Sequence, residues 1–244
     1  MLAYILLFTF LGGIGSLAGS FFLLAKKQLT EVFADRLVSF AAGVLIATAF
    51  LDLLPEAQEL DGESNIFLFA LIGFVMFFLA ERFLRLFHFH HGHGEKPTNL
   101  LILVGDGVHN FVDGVTIAVA FLTNMSLGIT TSFAVAAHEI PQEIADMGVL
   151  LANGLTKTKA LIYNFLSALT AISGALSAYF FADFIEKNIA IFLALAAGHF
   201  IYISASDLIP DLHEKIIEGK KVTQAAIFLL GIISVLIFTK IFEG

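Results

Sequence analysis

The chain contains no cysteine. Disulfides and thiolate metal ligands are therefore excluded, and any metal site must draw on His, Asp, Glu, Asn, Gln or water. Charge is also scarce. Only 14% of the 244 residues are Asp, Glu, Lys or Arg, against about 25% in a soluble domain. Hydrophobic residues make up 58%, including 27 Phe. A soluble all-α core cannot absorb that much apolar surface, so the composition implies an all-α polytopic membrane protein in a lipid bilayer. The net charge of −8 comes mostly from carboxylates inside apolar stretches and from one acidic loop, and it gives no ground for a nucleic-acid partner. The first apolar run has no basic segment before it and no clear small-residue cleavage site after it. It reads as a retained helix and not as a signal peptide.

The sharpest local absence is positive charge. From Pro97 to Thr156 there is no Lys or Arg, yet this stretch holds Asp106, Asp113, Glu139, Glu143 and Asp146. An ionised side chain at mid-bilayer costs roughly 2.5–3.5 kcal/mol on the insertion scale, so it is rarely kept without a use. Either these carboxylates hold protons or a cation from outside neutralises them. His109 and His138 among them point to a metal cation.

Windows of about 20 apolar residues give eight candidate spans, at 2–25, 37–55, 64–87, 99–122, 127–153, 158–182, 188–209 and 222–241. Of the 13 Lys and Arg, 11 fall in one set of alternating loops, and only Lys187 and Lys240 lie on the other side. Basic loops stay cytoplasmic, so both termini are expected outside. The segment with Glu56, Glu59, Asp61 and Glu63 then faces outward, either as an acidic mouth that concentrates cations or as a solvated loop. Short loops suggest a prokaryotic inner membrane. Residues 88–97, between the third and fourth spans, include His88, His90, His91 and His93. A His-rich tract of this kind binds transition metals weakly or serves as a linker, and it is expected on the cytoplasmic side.

An internal repeat appears at a spacing of 155 residues, from Ala41 to Ala196. Ala41-Ala42-Gly43 matches Ala196-Ala197-Gly198, and Asp52-Leu53-Leu54-Pro55-Glu56 matches Asp207-Leu208-Ile209-Pro210-Asp211. The charge rule runs the second span outward and the seventh inward. A repeat in opposite orientations marks an inverted-repeat transporter, here with spans 1–3 and 6–8 around central spans 4 and 5.

Residues four apart share a helix face. The fourth span therefore aligns His109 with Asp113, beside Asn110. The fifth aligns His138 with Gln142, and Glu139 with Glu143. Side by side, the two helices offer His109, Asp113, His138 and Gln142 as one mixed nitrogen and oxygen shell, with Asn110 and Glu139 displaced toward a second. Glu143 suits either that second shell or a proton path. Pro141 removes the partner of the Ala137 carbonyl, which is tolerable where that carbonyl faces protein, water or an ion. His-Glu at 138–139 begins the zinc-protease pattern H-E-x-x-H, but its fifth position is Gln142.

At these residues the sequence resembles the ZIP family of divalent-metal transporters, and within it the LIV-1-like branch. The family's pattern H-N-x-x-D-G is met by His109, Asn110, Asp113 and Gly114. Its pattern H-E-x-P-H-E-x-G-D is met by His138, Glu139, Pro141, Glu143 and Asp146, with Gln142 replacing the second His and Ala145 replacing Gly. The resemblance covers nearly the whole chain. It implies influx of zinc, or of cadmium, iron or manganese, by alternating access, often in a homodimer. It also implies a two-metal centre, with His109, Asp113, His138 and Gln142 at one ion and Asn110, Glu139 and Asn164 at the other. Two other readings stand beside it. One is an intramembrane zinc-dependent hydrolase with Glu139 as general base. The other is a proton- or cation-coupled carrier of an organic solute.

Overall fold

A computed structural model describes residues 1–17, 27–86, 98–214 and 221–242. All regular structure among them is helical. The principal helices are α1 (Leu2–Gly12), α2 (Lys27–Ala47, prolonged by a π-helical turn Thr48–Leu53 and by Leu54–Leu60) and α3 (Ile66–Leu86). They continue with α4 (Thr98–Thr123), α5 (Met125–Ala152) and α6 (Lys157–Phe180). A short helix Ala182–Lys187 then leads to α7 (Ile189–Ile203, prolonged by a π-helical turn Ser204–Leu208 and by Ile209–Glu214) and to α8 (Lys221–Phe242). The His-rich tract at 88–97 lies outside the described residues.

Among the described residues, six helices are long and apolar enough to cross a membrane: α2, α3, α4, α6, α7 and α8. The sequence led us to expect eight. The first expected span, 2–25, is described only in its first part, and Leu2–Leu17 is apolar but short. The fifth forms a helix of 28 residues, but its His, Glu, Gln and Asp dilute the apolar run that marks a span. The ends also differ from expectation. The second and seventh helices run on to Leu60 and Glu214, because hydrogen bonding continues through their Asp-Leu-x-Pro segments.

The two π-helical turns have a local cause. Each ends two positions ahead of a proline, Pro55 or Pro210. Proline has no N–H to give to the carbonyl four residues back, and its ring crowds that carbonyl. One wide turn relieves both problems without ending the helix. Pro141 lies inside α5 without ending the helix. Caps fix the corners around α5. Asn124, the single residue between α4 and α5, accepts a hydrogen bond from the Leu127 N–H at 2.8 Å through its side chain. The Thr156 hydroxyl does the same for the Lys159 N–H at the start of α6.

Helices pair through small residues, as expected where lipid removes the hydrophobic drive for association. The closest pair is α4 with α6. A Cβ on Gly114 would lie 1.8 Å from the Ala171 carbonyl oxygen, and one on Gly174 would lie 1.9 Å from that of Phe111. Thr170 adds a hydroxyl hydrogen bond to the Gly107 carbonyl at 2.6 Å. Gly43 and Gly231 join α2 to α8, and Gly73 and Gly198 join α3 to α7, by the same reciprocal contact. Outer faces stay apolar: Phe67 and Phe83 of α3 and Phe180 of α6 are each more than 60% exposed. The interior reverses this pattern. Asn110, Asp113, His138, Glu139 and His199 are all fully buried.

Candidate metal centre

The polar interior lies where α4, α5 and α7 meet. His109 and Asp113 come from α4, one turn apart, and His138 and Glu139 come from consecutive positions of α5. One ligand atom from each of these four lies within 4.8 Å of the others. His138 Nε2 is 3.0 Å from Asp113 Oδ2 and 3.2 Å from His109 Nε2. His109 Nε2 is 3.5 Å from Asp113 Oδ2 and 3.4 Å from Glu139 Oε1. Glu139 Oε1 is 3.7 Å from His138 Nε2. A tetrahedral zinc ion with bonds of 2.0–2.1 Å separates its ligand atoms by about 3.3–3.4 Å. The separations here bracket that value.

The fold also sets the chemical form of the ligands. His138 Nδ1 lies 3.0 Å from the Ala134 carbonyl. A carbonyl only accepts, so Nδ1 carries the proton and Nε2 turns its lone pair toward the cluster. This is the usual way an outer hydrogen bond fixes a metal-binding imidazole. Neither oxygen of Glu139, nor Asp113 Oδ1, receives a hydrogen bond. A buried carboxylate without donors is costly, and a cation at the cluster would satisfy it. The donor set of two imidazoles and two carboxylates suits a borderline divalent ion.

The other residues expected at the site take distinct places. Gln142, expected in the first ion's shell, donates from Nε2 to Asp106 Oδ1 at 3.0 Å. Glu139, expected at the second ion, takes its place in the four-residue group. Asn110 donates to the carbonyl and to Oδ1 of Asp106, each at 3.2 Å, and its own Oδ1 is buried without a donor. Glu143 is buried one turn beyond Glu139. Asn164 of α6 donates from Nδ2 to the Glu143 carbonyl at 3.2 Å. Two residues outside the expected set reach the site. Asp106 anchors both Asn110 and Gln142, and His199 of α7 brings Nδ1 to 3.8 Å from Asp113 Oδ1. His199 carried one signal in sequence: no other His, Asp, Glu, Lys or Arg lies between Ile189 and Ile203.

Two cavities approach the cluster from opposite ends of α5. One, of about 470 Å³, is lined by His109 itself and by Asp106, Gln142, Asp146, Asp207 and Asp211. The other, of about 340 Å³, is lined by Asp52, Glu56, Glu59, Asn124, Thr130 and Thr239. Its floor at Thr130 is eight residues before His138, about 12 Å along the helix axis. Asn124 Nδ2 donates to Glu56 Oε1 at 3.0 Å and Thr239 Oγ1 to Asp52 Oδ1 at 2.8 Å, which ties the second cavity's acidic wall to α5 and α8.

Comparison with known proteins bears on the same residues. A family model described as ZIP zinc transporter matches residues 1–100 and 89–239. Human zinc transporter ZIP6 is 40% identical over 46% of this chain and 15% of its own length. Human zinc transporter ZIP10 is 38% identical over 50% of this chain and 15% of its own length. Rat zinc transporter ZIP4 is 30% identical over 75% of this chain and 39% of its own length. The matches thus span well under half of these relatives. With the family model covering almost all of the sequence, including both helices that build the cluster, the chain belongs to the ZIP zinc transporter family.

Proposed function

We propose that this protein carries divalent transition-metal ions, zinc foremost, across a membrane into the cytoplasm. The observation that carries this reading is the buried group His109, Asp113, His138 and Glu139, placed between two acid-lined cavities in a chain of this family. The ion enters the cavity at Asp52 and Glu56, sheds water into the four-residue group and leaves past Asp106, Asp146, Asp207 and Asp211. Asn110, Glu143 and Asn164 support a second, adjacent ion, and Gln142 holds Asp106 in position between the two. Cadmium, iron and manganese are the competing substrates that this nitrogen and oxygen donor set admits. The hydrolase alternative has no support among the relatives, which are named as zinc transporters.

The finer architecture belongs to the same proposal. The eight-span reading counts α1 as a span and lets α5 cross despite its polar residues, which face the protein interior. An inverted repeat is supported by the paired π turns before Pro55 and Pro210. It is also supported by the way α2 meets α8 through Gly43 as α7 meets α3 through Gly198. We place both termini outside, by the distribution of Lys and Arg, in a LIV-1-like transporter of an inner-membrane type that assembles as a homodimer. The acidic segment after α2 suits an outer mouth. Ser64 donates to Asp61 from its hydroxyl and its N–H, which holds the Asp61 carboxyl below the usual carboxylate range and keeps it ionised.

Radiolabelled zinc uptake into liposomes tests this, comparing wild type with His138→Ala in the presence of cadmium, manganese and iron. Flux that disappears in the variant, with the protein still inserted, supports the centre, and the order of competition ranks the metals. Equal flux in both proteins overturns it.

A further inference from the structure

The cluster accounts for one oxygen of Asp113 and leaves the other. Oδ2 faces His109 and His138. Oδ1 is buried, receives no hydrogen bond, and has the His199 imidazole as its ion-pairing neighbour at 3.8 Å. His199 is fully buried, and neither ring nitrogen has a hydrogen-bond partner. Leaving a polar ring unsatisfied in the interior is costly. Phe77 of α3 stacks on the ring with centroids 3.6 Å apart and planes inclined by 17°. The His109 ring lies edge-on to it, with centroids 5.4 Å apart and planes inclined by 74°. Packing therefore holds the imidazole in one plane, with Nδ1 toward Asp113. A ring needed only to fill space would be served as well by phenylalanine.

We propose that His199 is a metal ligand, binding the transported ion through Nδ1 together with Asp113 Oδ1. This rests on the transport reading given above and adds a position to it. Asp113 then bridges two ion positions, Oδ2 serving the His109, His138 and Glu139 group and Oδ1 serving the α7 side. The separation of 3.8 Å lies within about half an ångström of the ligand spacing around tetrahedral zinc. The third imidazole comes from α7, while Gln142 of α5 is engaged with Asp106. An added nitrogen favours zinc and cadmium over manganese, which prefers oxygen.

The test uses the full chain purified in detergent, zinc as the probe, and H199F, which keeps a ring to stack on Phe77. Zinc X-ray absorption, multiplied by the zinc bound per protein, should give three imidazoles in wild type and two in H199F, with zinc affinity at the affected position roughly 10–100-fold weaker, the range over which even outer partners act. Without metal, H199F should melt at or above the wild-type temperature, because an unsatisfied polar ring has gone. Its stabilisation by added zinc should shrink. A purely structural histidine gives the reverse, a lower metal-free melting temperature with zinc binding intact. If H199F does not fold, H199Q carries the same comparison, since an amide is the poorer zinc ligand. Unchanged imidazole count and affinity in the His199 variant, with binding lost in His138→Ala, overturns this ligand and leaves the central cluster standing. No zinc bound by wild type overturns both.

Discussion

His138 and Glu139 are neighbours in sequence, so an ideal helix turns them about 100° apart. Both still reach one point, because Glu139 approaches with a longer side chain while the Ala134 carbonyl holds His138 in place. The spacing rule put His138 with Gln142 on one face, which is correct for the backbone. It did not foresee that Gln142 turns to Asp106 and that Glu139 reaches inward. Side-chain reach and the partners available across the interface decide that choice, and neither is written in a four-residue spacing. Glu139→Gln should weaken zinc binding roughly 10–100-fold, whereas Gln142→Ala should cost much less, acting only through the freed Asp106. Zinc titration of the two purified variants checks this. The reverse order would restore the amide as the ligand. His109, Asp113 and His138 were legible because each is a titratable group in an apolar run lacking Lys and Arg. His199 is just as isolated, but it lies 61 positions beyond His138 (199 − 138). Only the packing of α7 against α3 and α4 brings it to Asp113.

At the scale of elements, hydropathy found α2, α3, α4, α6, α7 and α8 because their apolar runs are long. It set the ends of α2 and α7 too early, since the apolar run stops at their Asp-Leu-x-Pro segments, whereas the helix continues through both. The tight pairing of α4 with α6 was not legible, because a glycine in an apolar run marks room for close approach without saying which helix approaches. The structure makes them essential to the centre: Asp113 precedes Gly114, and their backbone sets its distance from α5. Gly114→Ala places a methyl group 1.8 Å from the Ala171 carbonyl. That contact cannot be met without parting the helices. The expected result is a loss of about 1–3 kcal/mol or more of stability, with zinc uptake falling sharply. Gly148→Ala, where nothing lies within 4 Å of the added carbon, should be neutral or gain up to about 1 kcal/mol from helix propensity. Thermal melts and uptake of the pair separate close packing from a general intolerance of change in these helices.

For the whole molecule, the two cavities differ in one decisive way. The cavity at Asp106 includes His109 in its wall, and the one at Glu56 stops at Thr130, short of the cluster. A carrier that alternates access must show this asymmetry in any one state, because a path open at both ends would be a channel. The sequence could suggest two ends from its repeated Asp-Leu-x-Pro segments, but which end is open depends on how the helices are tilted. The absence of cysteine makes the point testable without background. Ser126→Cys sits in the wall of the first-entered cavity, and Ala145→Cys in the wall of the other. A membrane-impermeant thiol reagent should reach Ser126→Cys from outside only and Ala145→Cys from the cytoplasmic side only. Zinc should slow labelling at Ala145→Cys, because an ion at His109 and Asp113 occupies the inner end of that cavity. Labelling of both positions from one side would place both cavities on the same face of the membrane, and no route through the cluster would then cross it.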